Sequence, residues 1–222
     1  MYLFNRLNNC SRSVCLLFLL LITAARAHGA TLSVSVFNHE GSPLSNMVVS
    51  ARPLSGVAGS SSLRAEMDQI NRQFVPHFLV VQKGTYVQFP NSDSIKHHVF
   101  SFSPAKRFQL LLDKNAEQPP LLFDQAGIVE LGCNVHDWML GYIYVVDTPY
   151  FTGTNTKGNA DIALPVGDFE VSVWHPRMQE AKEVLLQRVT LSQNTRLVFT
   201  LKRPLLPDYA GYESDDEFGD YE

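Results

Sequence analysis

Apolar and polar residues alternate with the period of a β-strand in the first regular segment, Thr31-Leu32-Ser33-Val34-Ser35-Val36-Phe37, which ends at the turn His39-Glu40-Gly41-Ser42-Pro43. Met47 to Ala51 reads as a second strand, and Gly56 to Ser62 has the Gly/Ser composition of a linker. Strand-like runs return at 78–81, 85–89 and 98–102, separated by Gly, Pro, Asn and Asp. The stretch 104–120 is less regular and leaves room for one short helix. Runs at 127–131 and 140–146 flank a loop that carries a cysteine, and further strands are expected at 161–164, 169–174, 183–191 and 196–201. No apolar run has the length and period of a substantial helix, so the pattern predicts an all-β chain.

The two ends break this pattern. Arg6 and Arg12 supply positive charge around an apolar run from Val14 to Thr23, and Ala25-Arg26-Ala27 offers a small-x-small cleavage site. This predicts a secretory signal peptide over 1–27, with a retained membrane anchor as the alternative. The run is short for a bilayer span and no other run approaches that length, so no membrane span is expected after signal removal. At the other end, 206–222 is an acidic tail. Its last fifteen residues hold seven acids and no Lys or Arg, a composition that predicts disorder, with solubility or the steering of a basic partner as its role.

With 45% hydrophobic and 18% charged residues, the 222-residue chain has enough apolar material for a core. Loss of Arg6, Arg12 and Arg26 with the signal peptide takes 18 basic residues to 15 against 22 acidic ones, a net charge of −7. The tail carries that excess, so the remainder is near neutral and lacks the basic stripe of a nucleic-acid-binding protein. Cys10 and Cys15 leave with the signal peptide, which makes Cys133 the lone thiol of the exported chain. Such a thiol is buried and inert, paired between chains, or bound to a metal.

The neighbours of Cys133 favour a metal. Cys133-Asn134-Val135-His136-Asp137-Trp138-Met139 places thiolate, imidazole and thioether in one loop. Thiolate and thioether suit Cu(I), imidazole suits both copper states, and a His2Cys set with a weak axial Met is an electron-transfer arrangement. His97-His98, after the turn Pro90-Asn91-Ser92-Asp93, supplies the second histidine. Strand alternation makes it unfavourable for both to reach one ion. A Cys-x2-His pair also occurs in zinc sites, but zinc has no use for the methionine. Cys133 as an ordinary core thiol is the competing reading. His39, His77 and His175 lack partners at ligand spacing and are assigned surface or structural roles. His28, first after cleavage, could chelate copper with the new amine only alongside another well-placed histidine.

From about Leu63 to Asp147 the chain resembles the cupredoxin family, and amicyanin-like proteins most closely. The resemblance rests on Phe74-Val75-Pro76-His77-Phe78-Leu79-Val80-Val81, Gly84-Thr85-Tyr86-Val87-Gln88-Phe89-Pro90-Asn91, His97-His98-Val99-Phe100, Gly127, and the Cys-x2-His-x2-Met spacing of Cys133, His136 and Met139. It implies a Greek-key β-sandwich with copper near one end, held by His97, Cys133, His136 and Met139. His98 would tie the ligand loops together, and His136 would reach the surface as the electron's entry and exit point. Val129 and Leu131 stand where the family usually has tyrosines, a change expected in the packing around the ligands rather than in ligation.

The segments 28–55 and 148–205 resemble two pieces of a carboxypeptidase-regulatory-like, or transthyretin-like, β-sandwich. The residues that carry this are Val36-Phe37, Gly41-Ser42-Pro43-Leu44, Thr156-Lys157-Gly158-Asn159, Leu164-Pro165-Val166-Gly167-Asp168-Phe169 and Val173-Trp174-His175-Pro176. The implied layout is a cupredoxin unit at 63–147 inserted in or joined to a second small sandwich, as in methylamine-utilisation-type proteins. The alternative is that both pieces extend one larger sandwich. The expected function is one-electron transfer by a single copper ion in the periplasm, with a cytochrome or periplasmic dehydrogenase as the redox partner. A copper carrier or sensor using the same ligands, or a binding module in the flanking sandwich, are the rivals. No catalytic constellation is evident, and the chain is not expected to be an enzyme.

Overall fold

A computed structural model of the protein describes residues 29–56, 63–114, 118–179 and 185–207. The expected signal peptide, most of the 56–62 linker and the tail from Asp208 onward lie outside these residues. Among these residues the elements are strands. The chain begins with β1 (Ala30–Phe37), β2 (Val48–Pro53), β3 (Arg64–Glu66), β4 (Asp68–Ile70), β5 (Gln73–Val75) and β6 (Phe78–Gln82). It continues through β7 (Thr85–Gln88), β8 (His97–Ser101), β9 (Phe108–Leu112), β10 (Leu121–Phe123), β11 (Gly127–Cys133) and β12 (Leu140–Val146). It closes with β13 (Phe151–Gly153), β14 (Asn159–Leu164), β15 (Gly167–Trp174), β16 (Leu186–Leu191) and β17 (Thr195–Thr200).

The strands form two sandwiches. In the first, the sheet β14-β1-β17 faces the sheet β13-β2-β15-β16. Leu32, Val34 and Val36, alternate residues of β1, meet Val49 and Ala51 of β2 and Phe169, Val171 and Val173 of β15 in one buried core. In the second, the five-stranded sheet β6-β12-β11-β8-β9 faces β10-β7-β3. Its core gathers Val99, Val129, Leu131, Ile143 and Val145 from the larger sheet against Val87, Phe89 and Phe123. Burying each such large side chain contributes about 1.5–3 kcal/mol, so the alternation seen in the sequence is the main force that fixes strand register.

A third apolar cluster joins the sandwiches. Val48 and Trp174 of the first pack on Tyr144 and Val146 of the second, with Phe78, Val80 and Tyr142 alongside. Strand β12 shows how this is encoded. Ile143 and Val145 point into the second sandwich's own core, while Tyr144 and Val146 point the other way into the joining cluster. A strand buried on both faces carries an unbroken apolar run, as Tyr142–Val146 does. The molecule is therefore four sheets deep, with apolar side chains in all three gaps.

The irregular stretch 104–120 holds a strand, β9, and no helix among its described residues. It pairs antiparallel with β8, and Leu112 is fully buried while Leu111 is 55% exposed. The exposed leucine hid the alternation in Phe108-Gln109-Leu110-Leu111-Leu112. Strands β3, β4, β5, β10 and β13 are each three residues long, too short to show a period.

Candidate metal centre

Strands β8 and β11 bring the first two site residues together. They pair antiparallel with Cys133 opposite Val99, and inward positions alternate along both: His97, Val99 and Ser101 on β8, Val129, Leu131 and Cys133 on β11. His97 therefore lies on the same face as Cys133 and one step diagonal to it, within reach of a long side chain. His97 Nδ1 is 3.7 Å from Cys133 Sγ, and both residues are buried.

The third residue comes from the loop between β11 and β12. The Met139 N–H donates to the His136 carbonyl at 3.0 Å, which closes a tight turn over His136–Met139 and aims the imidazole back towards β8. The His97 and His136 rings lie 5.2 Å apart between centroids. One ligand atom each from His97, Cys133 and His136 fall within 4.8 Å of one another. Met139 is 2% exposed, in the same apolar cluster as Cys133.

His136 Nδ1 is buried and has no hydrogen-bond partner, an expensive arrangement for an imidazole nitrogen unless a ligand completes it. Burial first, then the charges of His97 and Arg72, push the His136 pKa below that of an ordinary histidine, against an opposing effect of Asp93. The ring is therefore neutral at physiological pH, the form that binds metals. Two imidazoles and a thiol converging on an orphaned ring nitrogen fit a thiophilic transition metal such as copper.

His97 is oriented from behind. Its Nε2 lies 2.9 Å from Asp93 Oδ2, and its Nδ1 is the nitrogen that faces Cys133. Asp93 also accepts the backbone N–H groups of Asn71 and Arg72, at 2.9 and 2.8 Å. Burial raises the Asp93 pKa, but the bonds from Arg72, His97 and Asn71 together outweigh it and hold the carboxyl below its ordinary range. In the sequence, Asp93 belonged only to a turn. The usable signal was its spacing four residues before a candidate ligand.

His98 points away from the cluster. The Asn134 side-chain amide donates to its Nδ1 at 2.9 Å, and the Asn134 N–H donates to its carbonyl at 3.0 Å, so this histidine links β8 to the cysteine loop. His136 is only 8% exposed, with the Trp138 ring beside it at 5.3 Å and the His97 ring at 5.2 Å between centroids. The surface exit expected at His136 is thus largely covered. The exposed large apolar groups next to the cluster are Val135, Trp138 and Leu140, at 53, 38 and 37%, with the polar Asn134 and Asp137 exposed between them. His39 is a surface residue 3.8 Å from Glu40. His77 packs edge-on against Tyr142, and His175, buried, against Phe78. His28 lies outside the described residues. Among the described residues no helix is long and apolar enough to cross a membrane.

No protein-family profile and no characterised protein sequence matches the chain. Many solved structures are similar to part of it, among them the following three. A purple cupredoxin from Nitrosopumilus maritimus is 24% identical and matches 37% of this chain and 99% of its own, with a TM-score of 0.33. A point mutant of amicyanin in its reduced state is 20% identical over 44% of this chain and 99% of its own, at 0.33. A copper-containing nitrite reductase from Thermus scotoductus is 21% identical over 43% of this chain, at 0.36, and the match spans a quarter (25%) of the reductase's length. The fold assignment itself rests on the strand pairing: the chain is an all-β protein whose second sandwich carries a buried His-Cys-His cluster at one end.

Proposed function

We propose that this chain is an exported mononuclear copper protein that transfers single electrons, with His97, Cys133 and His136 as the strong ligands and Met139 as a weak fourth. The observation that carries this reading is the buried convergence of His97, Cys133 and His136. Copper bound there would supply a one-electron couple. The chain's own part is rigidity: β8 and β11 fix His97 and Cys133 through a backbone ladder, and the turn over 136–139 fixes His136. Ligands held in this way rearrange little between oxidation states, which favours fast exchange.

The exposed apolar groups Val135, Trp138 and Leu140 suit brief docking of a redox protein partner, such as a cytochrome or dehydrogenase of the periplasm. Copper loading of the purified protein, followed by metal analysis and visible spectroscopy, tests the assignment. The expected result is one copper per chain with an intense thiolate-to-copper band that Cys133→Ser abolishes. A protein that takes up no copper, or a serine variant that keeps the band, overturns it.

A further inference from the structure

The strand pair β4–β5 lies outside the ligand set, yet it is built against the site. Its two-residue turn, Asn71-Arg72, has both residues at positive φ, 52 and 58°, the signature of a tight type I′ hairpin. Such a turn favours Asn first and Gly second, and Arg is a costly choice at φ above zero. Its two successive N–H groups point at one carboxylate, donating to Asp93 Oδ1 and Oδ2.

The loop that carries Asp93 is fastened to the same hairpin. The Ser92 hydroxyl donates to Asp68 Oδ2 at 2.7 Å, and the Ser92 N–H donates to the Gln69 carbonyl at 3.1 Å. Asn91 closes the loop from within. Its amide donates to the Ile95 and Leu112 carbonyls at 2.8 and 3.0 Å, and its Oδ1 accepts the Asp93 N–H at 3.0 Å. Asp93, with its side chain 12% exposed, therefore has little freedom, and its Oδ2 meets His97 Nε2.

We infer that Asp93, clamped by the Asn71-Arg72 turn, is a positioning residue that fixes the His97 tautomer and lowers the reduction potential of the bound metal. This rests on the copper reading above. A carboxylate accepting the distal N–H of a ligand imidazole makes the proximal nitrogen more basic. A fixed negative charge in a poorly solvated site adds a Coulombic preference for the more positive ion. Both effects favour Cu(II) over Cu(I). The three donors on Asp93 keep it in place through a change of metal charge, so the preference is built in.

The test compares wild type, Asp93→Asn and Asp93→Glu. Nitrogen-15 NMR of the metal-free protein should find His97 as the Nε2–H tautomer, with a strongly deshielded Nε2 proton that moves upfield in Asp93→Asn. A wild-type His97 protonated at Nδ1 overturns the proposal without reference to copper. On the copper-loaded proteins, Asp93→Asn should weaken the preference for Cu(II) about tenfold, an upward shift of about 59 mV for one electron. Asp93→Glu, which keeps the charge, should return the potential towards wild type. An intensely coloured Asp93→Asn protein at the wild-type potential overturns the role of Asp93 and leaves the copper reading standing. Failure of wild type to bind copper overturns both the copper reading and the effect on potential, while the tautomer assignment stands or falls by the NMR alone.

Discussion

His97 and His98 are adjacent in sequence and turned back to back in the fold. The first is fully buried with its Nδ1 3.7 Å from Cys133 Sγ, and the second accepts the Asn134 side-chain amide at 2.9 Å on the opposite face of β8. His97→Ala should therefore abolish the copper absorption band. His98→Ala should keep the band and loosen the cysteine loop, which would appear as faster loss of copper to a chelator. Exchange of these two phenotypes would mean that the strand is shifted by one residue.

The turn at Arg72 holds a side chain in a backbone region that favours glycine. Arg72→Gly keeps the N–H that Asp93 accepts and removes the steric conflict of the left-handed conformation, which costs about 1–2 kcal/mol. Part of that gain is offset by the greater freedom of glycine in the unfolded chain. Urea denaturation of the metal-free variant should show it more stable than wild type by roughly 1 kcal/mol. A variant less stable than wild type would show that the arginine side chain contributes more than its conformation costs.

Trp174 packs between the two sandwiches, with its ring 4.7 Å from Tyr144 and 6.3 Å from Phe78. Trp174→Ala should cost about 3–5 kcal/mol by leaving a void between the middle sheets. Thermal denaturation is then expected to separate into two transitions, because each sandwich keeps its own core. A single transition at the wild-type temperature would show that the joining cluster contributes little.

Glu170 accepts a hydrogen bond from Arg52 at 2.7 Å, which, against a smaller opposing effect of burial and with the help of the Arg52 and Arg188 charges, holds its pKa below the usual carboxylate range. The pair stabilises the fold fully above the unfolded-state value of about 4.3 and is lost as pH falls through the lower folded value. Arg52 and Arg188 are 44 and 71% exposed, so the contribution is about 1 kcal/mol or less. Glu170→Gln should flatten the acid side of the stability–pH curve by that amount and leave the neutral range offset but parallel.

Much of this was legible in the chain. The all-β class followed from period-two alternation, and β12, expected at 140–146, spans Leu140–Val146. The Cys133–Met139 loop could be singled out because thiol, imidazole and thioether stand within seven residues, and the fold brings two of its residues, Cys133 and His136, to His97. What stayed hidden depends on contacts between distant segments. Asp93 gains its meaning from Asn71 and Arg72, some twenty residues away, across a hairpin of three-residue strands that no periodicity reveals. The cover that Trp138 places beside His136 is likewise a matter of loop conformation, which residue type does not dictate.

Strand β1 pairs with β14 and β17, and β2 pairs with β13 and β15, whereas every ladder partner of β3 to β12 lies within 64–146. As the chain leaves the ribosome, or is threaded across a membrane from its N-terminus, the segment that carries the His97-Cys133-His136 cluster is complete while β1 and β2 still wait for their neighbours. Segments that contain all their own strand pairings fold as units and in order of appearance. The order of emergence thus lets the His97-Cys133-His136 cluster assemble before the final strand closes the other sandwich around its first.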